Sequence, residues 1–423
     1  TTGAGNTSVG SLALNNNTTA ANNTAVGYLA LTTNTTGATN TAVGKGALQA
    51  NTTGAGNVSM GQGALGDNTT ASNNTAVGAV ALNKNTTGTR NTAVGTSSAE
   101  AVTTGNDNTV LGYAAGDAIT TGASNIAIGS SSLSACTTAN DNVAVGTLAL
   151  NTCVTGASNV GIGDSSLRFS LASNNTAVGG RSLGANTTGS DSVAVGTSAL
   201  LVQTTGNNNV AAGSEAGAAL TTGAGNILMG SGSAASSTNL TTGNFNIVIG
   251  HQARTNAANS ENMIVMGLQV TGSGNSNFTF GNGATDSNIA FGATSISAPS
   301  DIRLKEDIQD EEVGLNFIND LRPVTFLWKK EKDVPSDMRV YKKDSEERVM
   351  NGKYNHGFIA QEVKATIDSH GLKEGFDMWQ EDETDGRQRV GEGALISVMV
   401  KAVQELSTQV DELKQELKTL KGE

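Results

Sequence analysis

Residues 23–44 read NTAVGYLALTTNTTGATNTAVG, so the segment Asn-Thr-Ala-Val-Gly occurs twice with its glycines seventeen residues apart. The same glycine recurs along the chain in steps of seventeen residues, apart from one step of sixteen and one of twenty. These marker glycines are Gly10, Gly27, Gly44, Gly61, Gly78, Gly95, Gly112, Gly129, Gly146, Gly163, Gly179, Gly196, Gly213, Gly230, Gly250 and Gly267. A period near twenty with so few insertions is typical of a solenoid of short repeats. We therefore predict a mainly β fold, with a parallel β-solenoid (a β-roll or β-helix) as a shaft over residues 1–270.

Each marker glycine follows a short strand whose side chains alternate between two faces. The residue directly before the glycine is usually large and apolar, as in Val26, Val43 and Met60. It shares a face with the residue three positions before the glycine, because strand side chains alternate with a period of two. We expect this face to point into the solenoid. The small residue between them, such as Ala25 or Ala42, is then expected to face outward or a neighbouring chain.

Other repeat positions form columns when the coils are stacked. Ten consecutive repeats place Asn four residues before the glycine, from Asn6 to Asn159. Stacking at about 4.8 Å turns this column into an amide ladder. Leucine four residues after the glycine, as in Leu31 and Leu48, predicts an apolar column. The Thr-Thr-Gly segment, as at 35–37, is expected to turn the chain, with its glycine at positive φ.

Two cysteines, Cys136 and Cys153, occupy a column that holds Asn in earlier coils, including Asn34 and Asn85. Because Cys packs as a small hydrophobe, we expect two stacked, buried thiols. A disulfide between neighbouring coils stays open as an alternative. Two thiols without a nearby His do not predict a zinc site, and no metal or cofactor is expected.

Composition limits the classes of function. The net charge is −12, and neither half of the chain carries a basic stripe, so nucleic-acid binding is not expected. No apolar run has membrane-spanning length and no secretory signal opens the chain, so membrane insertion is not expected either. The sequence starts inside a repeat, which leads us to expect that the natural N-terminus lies further upstream.

The repeat pattern weakens after Gly267, and we assign residues 271–299 to a shaft tip or transition. Phe278-Thr279-Phe280-Gly281 and Ile289-Ala290-Phe291-Gly292 read as wider, terminating strands. Exposed aromatic side chains suit a binding tip, so Phe278, Phe280 and Phe291 are candidate receptor contacts. The alternative is a hydrophobic plug between neighbouring chains.

The composition changes at Pro299, and three motifs follow. They are SDIRLKEDI at 300–308, LRPV at 321–324 and HGFIAQEV at 356–363. In this order they resemble the endosialidase-type intramolecular chaperone, a family of self-cleaving domains at the C-terminus of phage tail spikes and fibres. The resemblance covers about residues 300–423. It implies an α+β domain that trimerises, folds the preceding shaft and then cuts itself off.

The resemblance also implies site residues. The family's serine–lysine dyad maps onto Ser300 and Lys305, with cleavage between Ser300 and Asp301. The chemistry is reasonable, because a serine hydroxyl is a poor nucleophile until a base takes its proton. Lysine serves as that base only when burial or nearby charge disfavours its ammonium form. His356 and Gln361 are candidates for supporting this chemistry, with a structural role as the alternative.

Residues 393–421 predict a coiled-coil helix, because apolar side chains follow a 3-4 spacing over four heptads. The a and d positions are Ile396, Val403, Val410, Leu417 and Met399, Leu406, Leu413, Leu420. This pattern alone does not fix the number of strands, but the family resemblance implies a homotrimer. The seventeen-residue units also loosely resemble the head repeats of trimeric autotransporter adhesins.

Together these features predict a viral structural protein, a trimeric tail-fibre shaft for host attachment that is assembled in the host cytoplasm and located in the virion. Its expected partners are two further copies, a host receptor (a glycan or a surface protein) and other tail proteins bound through the N-terminal end. Self-cleavage is expected, but turnover of an external substrate is not. One alternative is a polysaccharide-degrading spike, because Asp107 and Asp141 lie two coils apart in one column, near the carboxylate spacing of inverting glycosidases. A bacterial trimeric surface adhesin is the other.

Overall fold

The computed structural model describes residues 2–422 except 236–239, 284, 294, 299, 339, 373–375 and 382–385. Pro299, where the composition changes, therefore lies outside the described residues. The chain divides into two compact units, Thr1–Ser300 and Asp301–Glu423.

The first unit is a parallel β-solenoid, as predicted. Each strand pairs in parallel with the strand of the next coil, and equivalent residues face each other, for example Thr24 with Thr41 and Ala25 with Ala42. The strands are β1 (Thr7–Val9), β2 (Thr24–Val26), β3 (Thr41–Val43), β4 (Val58–Met60), β5 (Thr75–Val77), β6 (Thr92–Val94), β7 (Thr109–Leu111), β8 (Ile126–Ile128), β9 (Val143–Val145), β10 (Val160–Ile162), β11 (Thr176–Val178), β12 (Val193–Val195), β13 (Val210–Ala212), β14 (Ile227–Met229), β15 (Ile247–Ile249) and β16 (Ile264–Leu268). The sixteen-residue step keeps this register, because Val160 pairs with Thr176.

The predicted orientation of these strands is wrong. The small central residue points inward, and Ala25, Ala42 and Ala76 are fully buried. The large residue before the marker glycine points outward, so that Val43 is 37 % exposed and Met60 is 43 % exposed. Both faces of the strand are apolar, so the alternation alone could not distinguish the inner face from the outer one.

The interior is narrow, and this explains the orientation. Most coils already bury one leucine four residues after the marker glycine, as predicted, for example Leu31 or Leu48, so only an alanine fits opposite it. Where that leucine is replaced by Gly116, the space is taken by larger neighbours. A Cβ built on Gly116 would lie 2.8 Å from Ile119 Cδ1 and 3.4 Å from Val110 Cγ2. In this coil Ile119 and Val110 thus fill the space that the missing leucine leaves.

The predicted asparagine ladder is confirmed. Asn57 donates from its backbone N–H to Asn40 Oδ1 at 3.0 Å and from Nδ2 to the same oxygen at 3.1 Å. Its Nδ2 also donates to the Ala71 carbonyl at 2.9 Å. A second ladder stands in the cysteine column, where Asn51 Nδ2 donates to Asn34 Oδ1 at 2.8 Å. These bonds satisfy buried amides that would otherwise oppose folding.

The glycine of Thr-Thr-Gly does not adopt the positive φ that we predicted. Neither Gly37 nor Gly54 has a positive φ. A Cβ on Gly37 would, however, lie 2.2 Å from the Gly54 carbonyl oxygen. This glycine is therefore required for close stacking of the coils. The left-handed region is occupied by the marker glycine, with φ +134° at Gly27, and also by Leu29 and Leu31 at φ 61° and 50°.

The solenoid ends in two longer strands, β17 (Asn277–Asn282) and β18 (Thr285–Ala290). Strand β17 continues the parallel stack on β16, whereas β18 returns antiparallel to β17. The wide terminating strands expected here are therefore present. Phe278 and Phe280 lie on one face of β17 with ring centroids 4.9 Å apart.

The second unit contains helices and two small antiparallel sheets. Its helices are α1 (Leu315–Asp320), α2 (Ala360–Ser369) and α3 (Leu395–Lys421), with short 3₁₀ turns at Ile302–Leu304, Glu331–Asp333 and Glu392–Ala394. Strand β19 (Val324–Phe326) pairs with β20 (Asn355–Gly357), and β21 (Trp379–Glu381) pairs with β22 (Gln388–Val390). Its core consists of Phe317, Val363, Ile367, Met378, Leu395 and Val398.

Candidate functional site

The expected cleavage point coincides with the boundary between the two units, because Ser300 ends the first unit and Asp301 begins the second. Ser300, Asp301 and Lys305 are all exposed to solvent. Asp301 caps the 3₁₀ turn that follows it, since its Oδ1 accepts from the Arg303 N–H at 2.9 Å. Exposure on both sides of the bond makes this segment accessible to another chain.

An ion pair stabilises the turn after the expected cleavage point. Arg303 donates through Nη2 to Asp301 Oδ2 at 2.6 Å and through Nε to Oδ1 at 3.0 Å. Hydrogen bonds from the Arg303 side chain and backbone lower the pKa of Asp301 below its usual range. The Lys305 N–H donates to the Ile302 carbonyl at 3.2 Å and closes the same turn. The backbone that leads to Lys305 is thus held by the Asp301–Arg303 ion pair and by main-chain hydrogen bonds within the turn.

His356 lies on β20, where it pairs with Thr325 of β19, and Gln361 lies in the first turn of α2. Both side chains are exposed, and within the described residues neither makes a side-chain hydrogen bond or ion pair. His356 borders an open cavity of about 460 Å³. Glu392 lines the same cavity, although no motif in the sequence drew attention to it. An acid and the histidine of the family motif therefore line the same cavity.

The long helix α3 presents two different stripes. Leu395, Val398 and Ala402, at heptad positions g, c and g, are buried in the core of the second unit. The a and d positions stay exposed within the single chain: Ile396, Met399, Val403, Leu406, Val410, Leu413, Leu417 and Leu420. The predicted helix is confirmed, and its coiled-coil face has no partner within the described residues of the chain.

The solenoid has an exposed apolar surface of its own, which we call the outer stripe. It consists of large side chains directly before the marker glycines: Val9, Val43, Met60, Leu111, Ile162, Val195, Met229 and Met266. Because equivalent residues stack coil upon coil, these side chains form a column along the sheet. Such a contiguous exposed apolar surface indicates an interaction site. The sequence predicted the same residues to be core, so the stripe was missed.

The cysteines are free and buried, as expected for stacked thiols. Cys153 Sγ donates to the Gly156 carbonyl at 3.0 Å. In an earlier coil, Asn34 Nδ2 makes the equivalent hydrogen bond to the Gly37 carbonyl. A hydrogen bond with Cys136 and burial both raise the pKa of Cys153. The thiol therefore replaces the amide as the donor that closes the turn.

The two carboxylates considered for glycan cleavage have different surroundings. Asp107 forms a bidentate ion pair with Arg90 of the preceding coil, at 2.6 and 2.8 Å. Hydrogen bonding to Arg90 lowers the pKa of Asp107. Asp141 is exposed two coils further on. A carboxylate held by arginine is a poor general acid, so this pair gives no support to glycosidase chemistry.

The aromatic residues at the end of the solenoid differ in exposure. Phe278 and Phe280 are half-buried, and Phe291, which follows β18, is 44 % exposed. Among the described residues, no three His, Cys, Asp or Glu side chains are grouped so that they could hold a metal ion. Of the helices in the same described part, none has both the length and the apolar character needed to cross a bilayer.

Comparison with known proteins gives one match. Residues 300–372 match the family model of the chaperone of endosialidase. Neither the curated proteins nor the solved structures contain a significant match to the chain. The chain therefore joins a parallel β-solenoid to a C-terminal segment that matches the family model of the chaperone of endosialidase, and this combination fits a tail-fibre-like or spike-like protein.

Proposed function

We propose that the chain forms a homotrimeric fibre shaft of a phage tail, which contacts the host surface and is located in the virion. Its second unit trimerises the shaft and then cleaves the chain between Ser300 and Asp301. The observation that carries the proposal is the exposed a/d stripe of α3, directly downstream of the chaperone-family match.

The a/d stripe suits two further copies of the same helix. A 27-residue helix is about 40 Å long, and its eight exposed a and d side chains would face water in a single chain. In a parallel bundle each copy supplies the same stripe, so a closed symmetric assembly buries all of them. The c/g stripe is already used within the second unit, which leaves the a/d face for association.

The outer stripe of the solenoid supports the same assembly. Eight coils contribute a large exposed apolar side chain, such as Val43 or Met60, to this column. Three copies packed around an axis would cover these columns along the shaft. Since neighbouring coils are nearly identical, a slip of one coil would lose few contacts. A chaperone that fixes the register of the three chains addresses this problem.

The cleavage chemistry follows from the two residues of the dyad. Lys305, as neutral amine, takes the proton of the Ser300 hydroxyl, whose oxygen attacks the carbonyl carbon of the Ser300–Asp301 bond. The C–N bond breaks as the proton passes from Lys305 to the departing Asp301 amine, and water then hydrolyses the ester, so the net reaction adds water across the peptide bond. The products are a carboxylate on Ser300 and an amine on Asp301. Lysine becomes a base when desolvation disfavours its charged form, and Lys305 is exposed in the single chain. We therefore infer that trimer formation buries Lys305 and switches cleavage on.

Intact mass measurement and denaturing electrophoresis test the cleavage. The wild-type chain should give two fragments that meet at Ser300-Asp301, whereas Ser300→Ala and Lys305→Gln should stay uncut in a trimer of normal mass. Ser295→Ala and Lys353→Gln, exposed residues outside the dyad, are matched controls and should cleave normally. Normal cleavage of Ser300→Ala would remove the dyad from the proposal.

The dependence of cleavage on the trimer is tested at the a/d stripe. Val403→Asp combined with Val410→Asp places charge on this face and should yield uncut monomers in light scattering. Thr408→Asp lies at an exposed f position and should trimerise and cleave. Full cleavage in the monomeric double variant would contradict the inference that association activates Lys305.

A separate measurement tests the location in the virion. Purified phage particles from the source culture should contain peptides of residues 2–300, which mass spectrometry detects. Their absence from every particle preparation, together with their presence in the cell envelope, would favour the bacterial adhesin.

A further inference from the structure

A polar notch opens on the side of the solenoid between the second and fifth coils. It has a volume of about 400 Å³, within the range of small-ligand sites. It arises in the column two residues after the marker glycine, where the chain carries Leu29, Gly46, Gly63 and Val80 in succession. All four adopt left-handed φ, between 52° and 66°, so the backbone is continuous and only the two central side chains are missing.

The lining of the notch offers hydrogen-bonding groups that the protein does not use itself. Lys45, Gln49, Gln62 and Asp67 are exposed, and within the described residues none of their side chains makes a hydrogen bond or ion pair. Asn83 donates from Nδ2 to the Gly63 carbonyl at 2.7 Å, which fixes its amide at the edge. Donors and acceptors therefore converge on one cavity without an internal partner.

An exposed aromatic residue lies one coil before the lysine of the lining, although it is not itself a lining residue. Tyr28 occupies the position one coil before Lys45 in the same column, and it is 48 % exposed. Its carbonyl accepts from the Gly46 N–H at 2.9 Å, so its backbone is joined to that of the notch. Aromatic side chains are rare in the solenoid, where residues 1–270 contain only Tyr28, Tyr113, Phe169 and Phe245. Leu29 adds an apolar wall.

We propose that this notch binds a neutral oligosaccharide. Amides, an ammonium and a carboxylate together match the mixed donors and acceptors of sugar hydroxyls, while Tyr28 and Leu29 match the apolar C–H face of a sugar ring. One lysine and one aspartate give the lining no net charge, so a polyanion is not favoured. Asp67 is the single carboxylate among the lining residues, so the notch lacks the pair that glycoside hydrolysis requires. It binds glycan without cutting it.

The proposal rests on the proposed function of host attachment, and it identifies a site on the shaft and a class of receptor. Its failure is distinguishable from failure of that function, because trimer mass and self-cleavage are measured independently of sugar binding. If the protein trimerises and cleaves itself but does not bind neutral sugars, this inference alone is overturned.

The test uses the full-length protein with maltotriose, chitotriose and lactose as neutral probes and sialyllactose as the anionic comparator. Binding is measured by saturation-transfer NMR and by calorimetry. At least one neutral probe should bind, and sialyllactose should bind more weakly than it. Absence of binding by all three neutral probes at millimolar concentration, or preference for sialyllactose, would overturn the proposal.

Two substitutions locate the binding. Gly63→Leu fills the notch with the side chain that the column already carries at Leu29, and a Cβ at Gly63 has no neighbour closer than 3.4 Å. Ser198→Leu is the matched control, because it introduces the same side chain at the same left-handed position of a distant coil. Gly63→Leu should weaken binding about tenfold or more, a loss of about 1.4 kcal/mol, and Ser198→Leu should leave it unchanged.

Gln62→Ala provides a second variant that leaves the backbone untouched. It should also weaken binding, because it removes a donor and an acceptor from the lining. Circular dichroism and trimer mass verify that each variant is folded. Wild-type affinity in both Gly63→Leu and Gln62→Ala would show that the sugar binds elsewhere and would overturn the assignment.

Discussion

Glu405 of the long C-terminal helix accepts a hydrogen bond from the backbone N–H of Leu315, at 2.8 Å and across 90 residues of sequence. Leu315 begins α1, and the preceding Gly314 has no side chain to cap that helix. A Cβ on Gly314 would lie 2.4 Å from Glu405 Oε2, so glycine makes room for the carboxylate. A carboxylate at a helix N-terminus satisfies an unpaired donor and interacts favourably with the helix dipole.

This contact also fixes which side of α3 faces its own unit. Glu405 continues the c/g stripe of Leu395, Val398 and Ala402, which pack into the core of the second unit. The a/d stripe therefore points away from these contacts. One helix thus serves two purposes, with folding of the unit on one face and the proposed trimerisation on the other.

Removal of the Glu405 cap should destabilise the second unit. We expect Glu405→Ala to lower its free energy of unfolding by about 1 kcal/mol, because a charge-assisted hydrogen bond is lost. Both tryptophans, Trp328 and Trp379, lie in this unit, so denaturant unfolding followed by tryptophan fluorescence reports on it within the full chain. Glu412→Ala, one heptad later and exposed, is the control and should change stability little.

The inverted strand orientation predicts opposite effects at neighbouring residues. Ala76 is fully buried, so Ala76→Leu should overpack the interior and lower the free energy of unfolding by about 1–3 kcal/mol. Val77→Ser changes the outward face and should leave the coil folded. Far-UV circular dichroism during denaturant unfolding compares the two. A tolerated Ala76→Leu with an unfolded Val77→Ser would restore the orientation expected from the sequence.

The buried thiols should not react with thiol reagents in the native protein. Cys136 and Cys153 are inaccessible, and the hydrogen bond with Cys136 together with burial raises the pKa of Cys153, which disfavours its reactive thiolate. We expect no reaction with a thiol-specific dye under native conditions and two reactive thiols per chain after denaturation. Fast labelling of the folded protein would contradict the buried column. Cys153→Asn should fold, since Asn fills this column in earlier coils.

Glu346 should remain ionised at acid pH values at which an ordinary glutamate is protonated. It pairs with Lys330 and Lys332, whose hydrogen bonds lower its pKa to about 2. Because the folded pKa lies below the unfolded one, the pair contributes stability above the unfolded pKa of about 4.3, and this contribution is lost as the pH falls toward 2. NMR titration of the side-chain carboxyl measures this value. Lys332→Gln together with Lys330→Gln should return it toward the unfolded value, whereas Lys353→Gln should not.

Much of the architecture follows from local sequence. The seventeen-residue glycine period predicts coils in register, and the pairing of Thr24 with Thr41 confirms it. The Asn column predicts an amide ladder, because one polar residue repeated at every coil must find its partner in the next. The 3-4 spacing from Ile396 to Leu420 predicts the long helix. Each of these depends on a period in the chain and on contacts between equivalent positions.

Only the tertiary structure decided which face of each strand is buried and which is exposed. Ala25 and Val26 are neighbours in an apolar strand, and nothing local decides which of them is buried. The decision comes from volume, since Leu31 and its equivalents already fill a narrow interior and leave space only for alanine. Likewise, no motif joins Glu405 to Leu315, or predicts that Glu392 and His356 line the same cavity, because these residues come from distant segments. The sequence by itself determined the repeat, its register and the long helix, while packing in three dimensions decided which apolar face stays exposed.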